Sequence, residues 1–317
     1  MKEKRRQFLR PAKQALERFG KAGAILTRLK TQATQSVFQV SAADGAYVLR
    51  LFSGGPERLF QAQFERAFLE AIAVGTDLRA PRVIDMVALD ETNHAALLTF
   101  VPGEKAGKRP TDAHAGAVGD FLGRLHRFSA TYPRAAEPRW DFDRVFAPLV
   151  VPENAAWFAP EQRVVLQAAG ERIRSALRTL GTGADVYGVI HSDLHFDNCV
   201  FEEGQIGAFD FAECGYSWFL FDLAVVLMDI RWDMPEIAPP REAALLAAYE
   251  RQRPLLPSEH RSLEDIIALR FVEMLTWHFT ENTEAEKIRY EEDARKDADF
   301  AIAYLQRYLT QGHGEAG

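Results

Sequence analysis

The sequence predicts an α+β protein of two lobes, a small β-rich N-lobe and a larger, mostly α-helical C-lobe. Three observations carry that prediction. Short alternating apolar runs crowd the first hundred residues around one long helical stretch, helical periodicity dominates the rest of the chain, and Val101-Pro-Gly-Glu104 breaks the pattern between them. The boundary therefore falls after residue 101, giving lobes of 1–101 and 102–317. At 317 residues, 47% hydrophobic and 26% charged, the chain has the length and composition of a soluble globular protein with a sizeable core.

Phe8, Leu9, Ala12, Ala15, Leu16 and Phe19 recur at helical spacing and predict an amphipathic helix docked on the first lobe. The basic start has no apolar run of the kind that marks a secretory leader. Stretches 37–40 and 47–52 flank Ala42-Ala-Asp-Gly45, and Asp-Gly signals a hairpin. Residues 57–74 read as a helix with Phe60, Phe64, Ala67, Phe68, Ala71 and Ile72 on its buried face. Strands are expected at 82–89 and 95–100, joined through the polar Asp90-Glu-Thr-Asn93. Beyond the boundary, 112–129 carries Ala117, Phe121, Leu122, Leu125 and His126 on one stripe, with Thr111 or Asp112 as N-cap. Stretches 160–179, 242–251, 258–279 and 284–309 are also helical in pattern. The exception is a strand-rich island at 187–211, where Cys199-Val-Phe201 and Ile206-Gly-Ala-Phe209 are joined by Glu202-Glu-Gly-Gln205 as a small hairpin.

A net charge of −7 supplies no global positive field that would recommend nucleic acid as a partner. The two cysteines, Cys199 and Cys214, exclude a disulfide framework and point to a reducing, cytoplasmic setting. No apolar run reaches the ~18 residues needed to span a bilayer.

The island reads Val189-Ile-His-Ser-Asp-Leu-His-Phe-Asp-Asn-Cys-Val-Phe201, followed by Gly207-Ala-Phe-Asp-Phe-Ala212. Phosphoryl transfer asks for a carboxylate to take the acceptor hydroxyl's proton and for hard oxygen ligands to hold Mg²⁺ against a triphosphate. Asp193, Asn198 and Asp210 supply those groups, with Asn198 at the mouth of the hairpin and Asp210 at its close. The spacing meets the kinase catalytic loop, H-x-D-L-x-x-x-N, at His191, Asp193, Leu194 and Asn198. A rival reading takes His191-Ser-Asp-Leu-His195 as a hydrolytic metal cluster, but only eight histidines exist in the chain. Trp140-Asp-Phe-Asp143 reads as a solvated turn rather than a phosphatase aspartate pair.

On these residues the chain resembles the aminoglycoside phosphotransferase/choline kinase superfamily, small-molecule relatives of the protein kinases. Phe209-Asp-Phe211 stands where protein kinases have D-F-G, and Glu213-Cys-Gly-Tyr-Ser-Trp-Phe-Leu-Phe-Asp-Leu-Ala224 is similar to the small-molecule branch. The resemblance implies a protein-kinase-like two-lobed fold, ATP as co-substrate and Mg²⁺ as cofactor. It also implies a hydroxyl on a small molecule as acceptor, with catalysis by Asp193, metal binding by Asn198 and Asp210, and support of the loop by His191 and Asp222. In the nucleotide-clamping lobe, Arg50 stands where the family places a phosphate-binding lysine, and Glu65 where it places the glutamate that pairs with that cation. Thr99 and Val101 lie in Leu97-Leu-Thr-Phe-Val-Pro-Gly103, which is similar to the hinge that reads adenine. The stretch 30–38 has no glycine where a glycine-rich loop would stand. Acceptor-pocket candidates are Glu213, Tyr216, Trp218, Trp232, Glu273 and Trp277, with Asp229 as a further anionic partner for an amine. Two alternatives share the fold, a stress-response serine/threonine protein kinase and a nucleotide-binding pseudokinase that serves as an interaction module.

Overall fold

The computed structural model describes residues 2–31, 35–133, 140–280 and 284–311. Residues 32–34 of the glycine-free stretch, and the side chain of Phe8 in the N-terminal stripe, lie outside the described residues. Along the chain run α1 (Lys2–Arg18), β1 (Ile25–Thr31), β2 (Gln35–Ala42), β3 (Gly45–Ser53), α2 (Pro56–Gly75), β4 (Val83–Ala88) and β5 (Asn93–Thr99). Next come α3 (Asp112–Ser129), α4 (Phe142–Val150), α5 (Pro152–Ala155), α6 (Pro160–Leu180), β6 (Tyr187–Ile190), β7 (Cys199–Glu202) and β8 (Gln205–Ala208). The chain ends through β9 (Gly215–Trp218), α7 (Phe219–Asp233), α8 (Ala238–Gln252), α9 (Pro257–Thr280), α10 (Glu284–Arg289) and α11 (Glu291–Thr310). Two compact units result: Met1–Glu104 with Cys199–Glu213, and Lys105–Asn198 with Cys214–Gly317.

In the first unit, five strands form an antiparallel sheet in the order β1-β2-β3-β5-β4. The hairpin forms where Asp-Gly signals it, with Ala42 paired to Gly45. Ala12, Ala15 and Leu16 of α1 pack on Phe38, Val40, Leu49, Leu51 and Ala95 of the sheet with Phe19 beside them, so the N-terminal helix docks through this part of its stripe, while Leu9 is exposed. β1 left no sequence signal because it is an edge strand: Ile25 and Leu29 are 70% and 55% exposed, so no clean alternation marks it. The predicted helix at 57–74 forms as α2 but is rolled about its axis. Ala62, Glu65, Phe68, Leu69 and Ile72 are buried, whereas Phe60 is 44% exposed and Ala67 faces outward. An apolar stripe cannot register a buried carboxylate, and Glu65 sits at the centre of the true inner face.

The β7–β8 hairpin belongs to this same unit. Glu104 and Phe201 exchange backbone hydrogen bonds of 2.9 and 2.8 Å, and the Ala208 amide donates to the Arg79 carbonyl at 2.9 Å. Gly103, at φ +136°, and Gly207 let the backbones close up: a Cβ on Gly103 would lie 3.0 Å from Val200 Cβ.

In the second unit α9 is the central helix, packed against α4, α6, α7 and α11, while α3 lies along α8. The α3–α8 seam is lined with glycine; a Cβ on Gly119 would run into the Leu245 carbonyl oxygen, and one on Gly123 would lie 2.8 Å from the Tyr249 oxygen. β6 and β9 pair antiparallel, from Tyr187 opposite Trp218 to Ile190 opposite Gly215. Neither β9 nor α7 carries a sequence signal. Phe219 to Leu227 are all buried, Asp222 included, so this stretch of α7 has no exposed face and no helical period to detect. The expected turn at 140–143 is corrected: Asp141 caps α4, its side chain accepting from the Arg144 amide at 2.9 Å, and Phe142, Val145, Phe146 and Leu149 are buried. The helical stretch 284–309 is broken into α10 and α11 at Tyr290. Among the described residues no helix is long and apolar enough to cross a membrane.

Candidate active site

The predicted loop residues of the second unit, His191 to Asn198, come directly after β6, whose four residues are all buried and anchor the turn that leaves it. Ser192 then takes φ 71°, a left-handed conformation that costs a residue with a Cβ about 1–2 kcal/mol. Asp222, fully buried on α7, holds this turn: its Oδ2 accepts from the His191 amide at 2.9 Å and its Oδ1 from the Ser192 amide at 2.8 Å. Next comes Asp193, whose amide donates to His191 Nδ1 at 3.3 Å. Asn198 closes the loop, its Nδ2 donating to the Asp193 carbonyl at 2.9 Å and to Asp193 Oδ2 at 3.1 Å. Those two bonds fix the amide so that Asn198 Oδ1 is not consumed within the loop.

Two nitrogen-bearing side chains, His195 and Arg270, stand against the Asp193 carboxylate. His195 Nε2 lies 3.6 Å from Oδ2, and Arg270 Nη2, from α9, lies 3.3 Å from Oδ1. Burial pushes the Asp193 carboxyl up, but the His195 hydrogen bond and the charge of Arg270 outweigh it and hold the group at about 2. Reciprocally, burial lowers the His195 imidazole and the Asp193 carboxylate more than restores it, so His195 ends above its ordinary value. Arg270 also pairs with Glu273, one turn along α9.

Behind the loop runs a buried chain of polar groups. His126 Nε2 lies 3.0 Å from Asp222 Oδ2, and its Nδ1 2.9 Å from the Tyr249 hydroxyl. Burial lowers the His126 imidazole and keeps it neutral. A carboxylate can only accept, so Nε2 carries the proton and Nδ1 accepts from Tyr249. The Tyr249 oxygen accepts in turn from Arg253 at 3.0 Å, and Arg253 pairs with Glu259 at 2.9 Å. The turn presenting Asp193 thus rests on a fully partnered network reaching from α7 through α3 and α8 to α9.

In the first unit, Arg50 of β3 and Glu65 of α2 meet as a bidentate pair: Nη1 donates to Oε1 at 3.0 Å and Nη2 to Oε2. Arg50 is 6% and Glu65 1% exposed, so the fork is fully desolvated. Asp210 takes φ 63°, and Lys30 Nζ, from β1, lies 3.9 Å from its Oδ2. Glu213 pairs with Arg58 of α2 at 3.5 Å. Thr99 ends β5, its Oγ1 accepting from the Arg82 amide at 2.9 Å, and Val101 packs over Gly207.

The remaining predicted residues are dispersed within the second unit. Tyr216 is buried and donates to the Pro133 carbonyl at 2.6 Å; Trp218 Nε1 donates to the Gly181 carbonyl at 2.7 Å. Trp232 stacks among Phe271 and Phe300, and Trp277 is 46% exposed on α9. Glu273 and Asp229 belong with Asp193: Glu273 through Arg270, and Asp229 through the Phe196 amide, which donates to its Oδ2 at 3.4 Å. Sequence reasoning missed Arg270, and the His126 stripe gave no hint of its bond to Asp222. Nothing local announces either contact, since Arg270 is 77 residues from Asp193.

The fold is that of the small-molecule kinases. The chain superposes on the microcompartment-associated aminopropanol kinase with a TM-score of 0.76 and 21% identity, over 95% of this chain and 98% of that one. It superposes on the amicoumacin kinase hAmiN, in complex with AMP-PNP, Ca²⁺ and Ami, with a TM-score of 0.69 and 19% identity, over 87% and 88% of the two chains. Within that fold, the chain belongs to the phosphotransferase enzyme family, which it matches over residues 25–258. It is similar in sequence to a homoserine kinase of Cupriavidus taiwanensis, 33% identical over 213 residues, which make up 62% of this chain and 61% of that protein. The match thus spans about 61% of that relative's length.

Proposed function

We propose that this protein moves the γ-phosphoryl group of ATP onto a hydroxyl of a small metabolite, in the class of amino alcohols, homoserine-like compounds, sugars and aminoglycosides. The observation that carries this reading is Asp193, an ionised carboxylate at the end of a strained turn, oriented by Asn198 and backed by Asp222. Family membership and the likeness to a homoserine kinase support it, as does the ATP analogue bound to a neighbour of the same fold.

Asp193 accepts the acceptor's hydroxyl proton as the new P–O bond forms and the bond to the β-phosphate breaks, leaving ADP and a phosphate ester. The Arg50 guanidinium, held in its fork by Glu65, serves the phosphates; Thr99 and Val101 flank adenine; His191 caps the Asp193 amide. Lys30, beside Asp210, offers a second cation on the glycine-free side. For the metal, the donor set fits: Asn198 keeps Oδ1 free of its own loop, and Asp210 contributes a hard carboxylate, as Mg²⁺ prefers. When bound, Mg²⁺ would neutralise phosphate charge. Two side-chain ligands suffice for an ion that keeps phosphate oxygens and water in its remaining positions. Cys199 and Cys214 are buried and form no disulfide with each other, which suits a reducing cytoplasmic setting.

An ATP-consumption screen over amino alcohols, hydroxy amino acids, sugars and aminoglycosides, run beside Asp193→Ala, tests the reading. The substitution is expected to cut transfer by ~10²–10⁴-fold while nucleotide binding holds within a few-fold. Equal turnover by both proteins would contradict the role given to Asp193.

A further inference from the structure

We infer that Arg270 reads a carboxylate on the acceptor, so that the preferred acceptor is a hydroxylated amino acid rather than a plain amino alcohol; this rests on the phosphotransfer reading. Arg270 is an arginine whose bonds are incomplete. Its side chain is 13% exposed, Nη1 is taken by Glu273, and Nη2 reaches Asp193 Oδ1 at 3.3 Å. The Nε proton is buried and meets no hydrogen-bond acceptor.

The Nε and Nη2 protons share one edge of the planar guanidinium, and a carboxylate fits that edge with two parallel bonds. Here the edge is half used, and its single bond is longer than the ~2.7–2.9 Å of a good charge-assisted contact. Asp193 therefore occupies the edge as a poor partner. A carboxylate on the acceptor would take both protons, satisfy Nε and draw the guanidinium away from Oδ1. That oxygen is the one not bonded to Asn198, and its release leaves it open to the acceptor's hydroxyl. Glu273 and Asp229 stand in the same cluster and supply negative charge for the acceptor's ammonium group. Three carboxylates, Asp193, Asp229 and Glu273, act on the one Arg270 guanidinium, so a zwitterion brings its own negative charge to the cation and its positive charge to the carboxylates.

The test compares three acceptors that differ by single groups: L-homoserine, 3-amino-1-propanol, which lacks only the carboxylate, and 4-hydroxybutanoate, which lacks only the amine. In the wild type, kcat/KM for L-homoserine is expected to exceed that for 3-amino-1-propanol by ~100-fold or more, because the analogue leaves buried donors unpaired. In Arg270→Gln that ratio is expected to fall towards unity, chiefly through a higher KM for L-homoserine, with Arg270→Lys between the two. 4-Hydroxybutanoate should keep its dependence on Arg270. If both acceptors lose activity in parallel and the ratio survives, Arg270 serves Asp193 or the transferred phosphoryl group, and the inference is wrong. A wild type without carboxylate preference overturns it too, and that comparison needs no variant to fold. Failure of the wild type to phosphorylate any compound in the wider screen would instead bring down the phosphotransfer reading itself.

Discussion

Asp193, held at about 2, stays ionised at every pH where an assay is practical, so an acid limb near neutrality in a pH–rate profile belongs to another group. The depressed value also stabilises the fold. That contribution is present above the unfolded carboxyl value of ~3.9 and is lost only as pH falls through about 2. His195 runs the opposite way. Its folded value is raised, so its contribution is complete below ~6.5 and fades as pH rises through the folded value. Ring-proton NMR of His195 should therefore show a titration midpoint above ~6.5 in the wild type. In Asp193→Asn the midpoint should drop, because the carboxylate that offsets burial is gone while only Asp229 is left to raise it. An unmoved midpoint would break the proposed coupling.

The β3–α2 clamp and the α3–α8 seam each depend on a contact that a single substitution removes. Arg50→Ala leaves the Glu65 carboxylate buried without its cation, at a cost of about 3–5 kcal/mol and roughly 10 °C in melting temperature. Replacing both partners by methionine should recover most of that stability while nucleotide affinity stays low, since a buried pair contributes little net stability but Arg50 is assigned a function. Recovery of nucleotide binding in the double variant would remove Arg50 from the phosphate site. At the seam, Gly119→Ala places a methyl against the Leu245 carbonyl and forces α3 off α8, with a loss of about 1–3 kcal/mol measurable in urea. Because α3 carries His126, the same variant should also lower kcat, through the Asp222 support of the catalytic turn.

Across the whole chain, binding of a nucleotide should appear as stability. At a concentration 100-fold above its Kd, AMP-PNP with Mg²⁺ should stabilise the protein by ~2.7 kcal/mol and raise the melting temperature by several degrees. EDTA should erase most of that shift, and Asp210→Ala should make it insensitive to EDTA. A shift of equal size with and without the metal would take Asp210 out of the metal site.

Much of the molecule could be read in order along the sequence. Asp193 and Asn198 lie five residues apart in one tight turn, so their spacing nearly equals their geometry, and the Asn198 amide does bond to Asp193. The α1 stripe, the Asp-Gly hairpin and the N-cap at Thr111 are likewise contacts within a few residues, where the local backbone leaves few choices. The motif sets Glu65 opposite Arg50, yet the apolar stripe shares only Phe68 and Ile72 with the buried face of its helix and leaves Glu65 out, since hydrophobicity has no term for a paired charge. The edge strand β1 and the all-buried α7 were invisible because one lacks a buried face and the other lacks an exposed one. Arg270 reaches Asp193 from 77 residues away, and His126 reaches Asp222 from 96, over contacts set by which helix faces pack together. Periodicity shows that a helix has an inner face; what that face meets depends on every other segment at once.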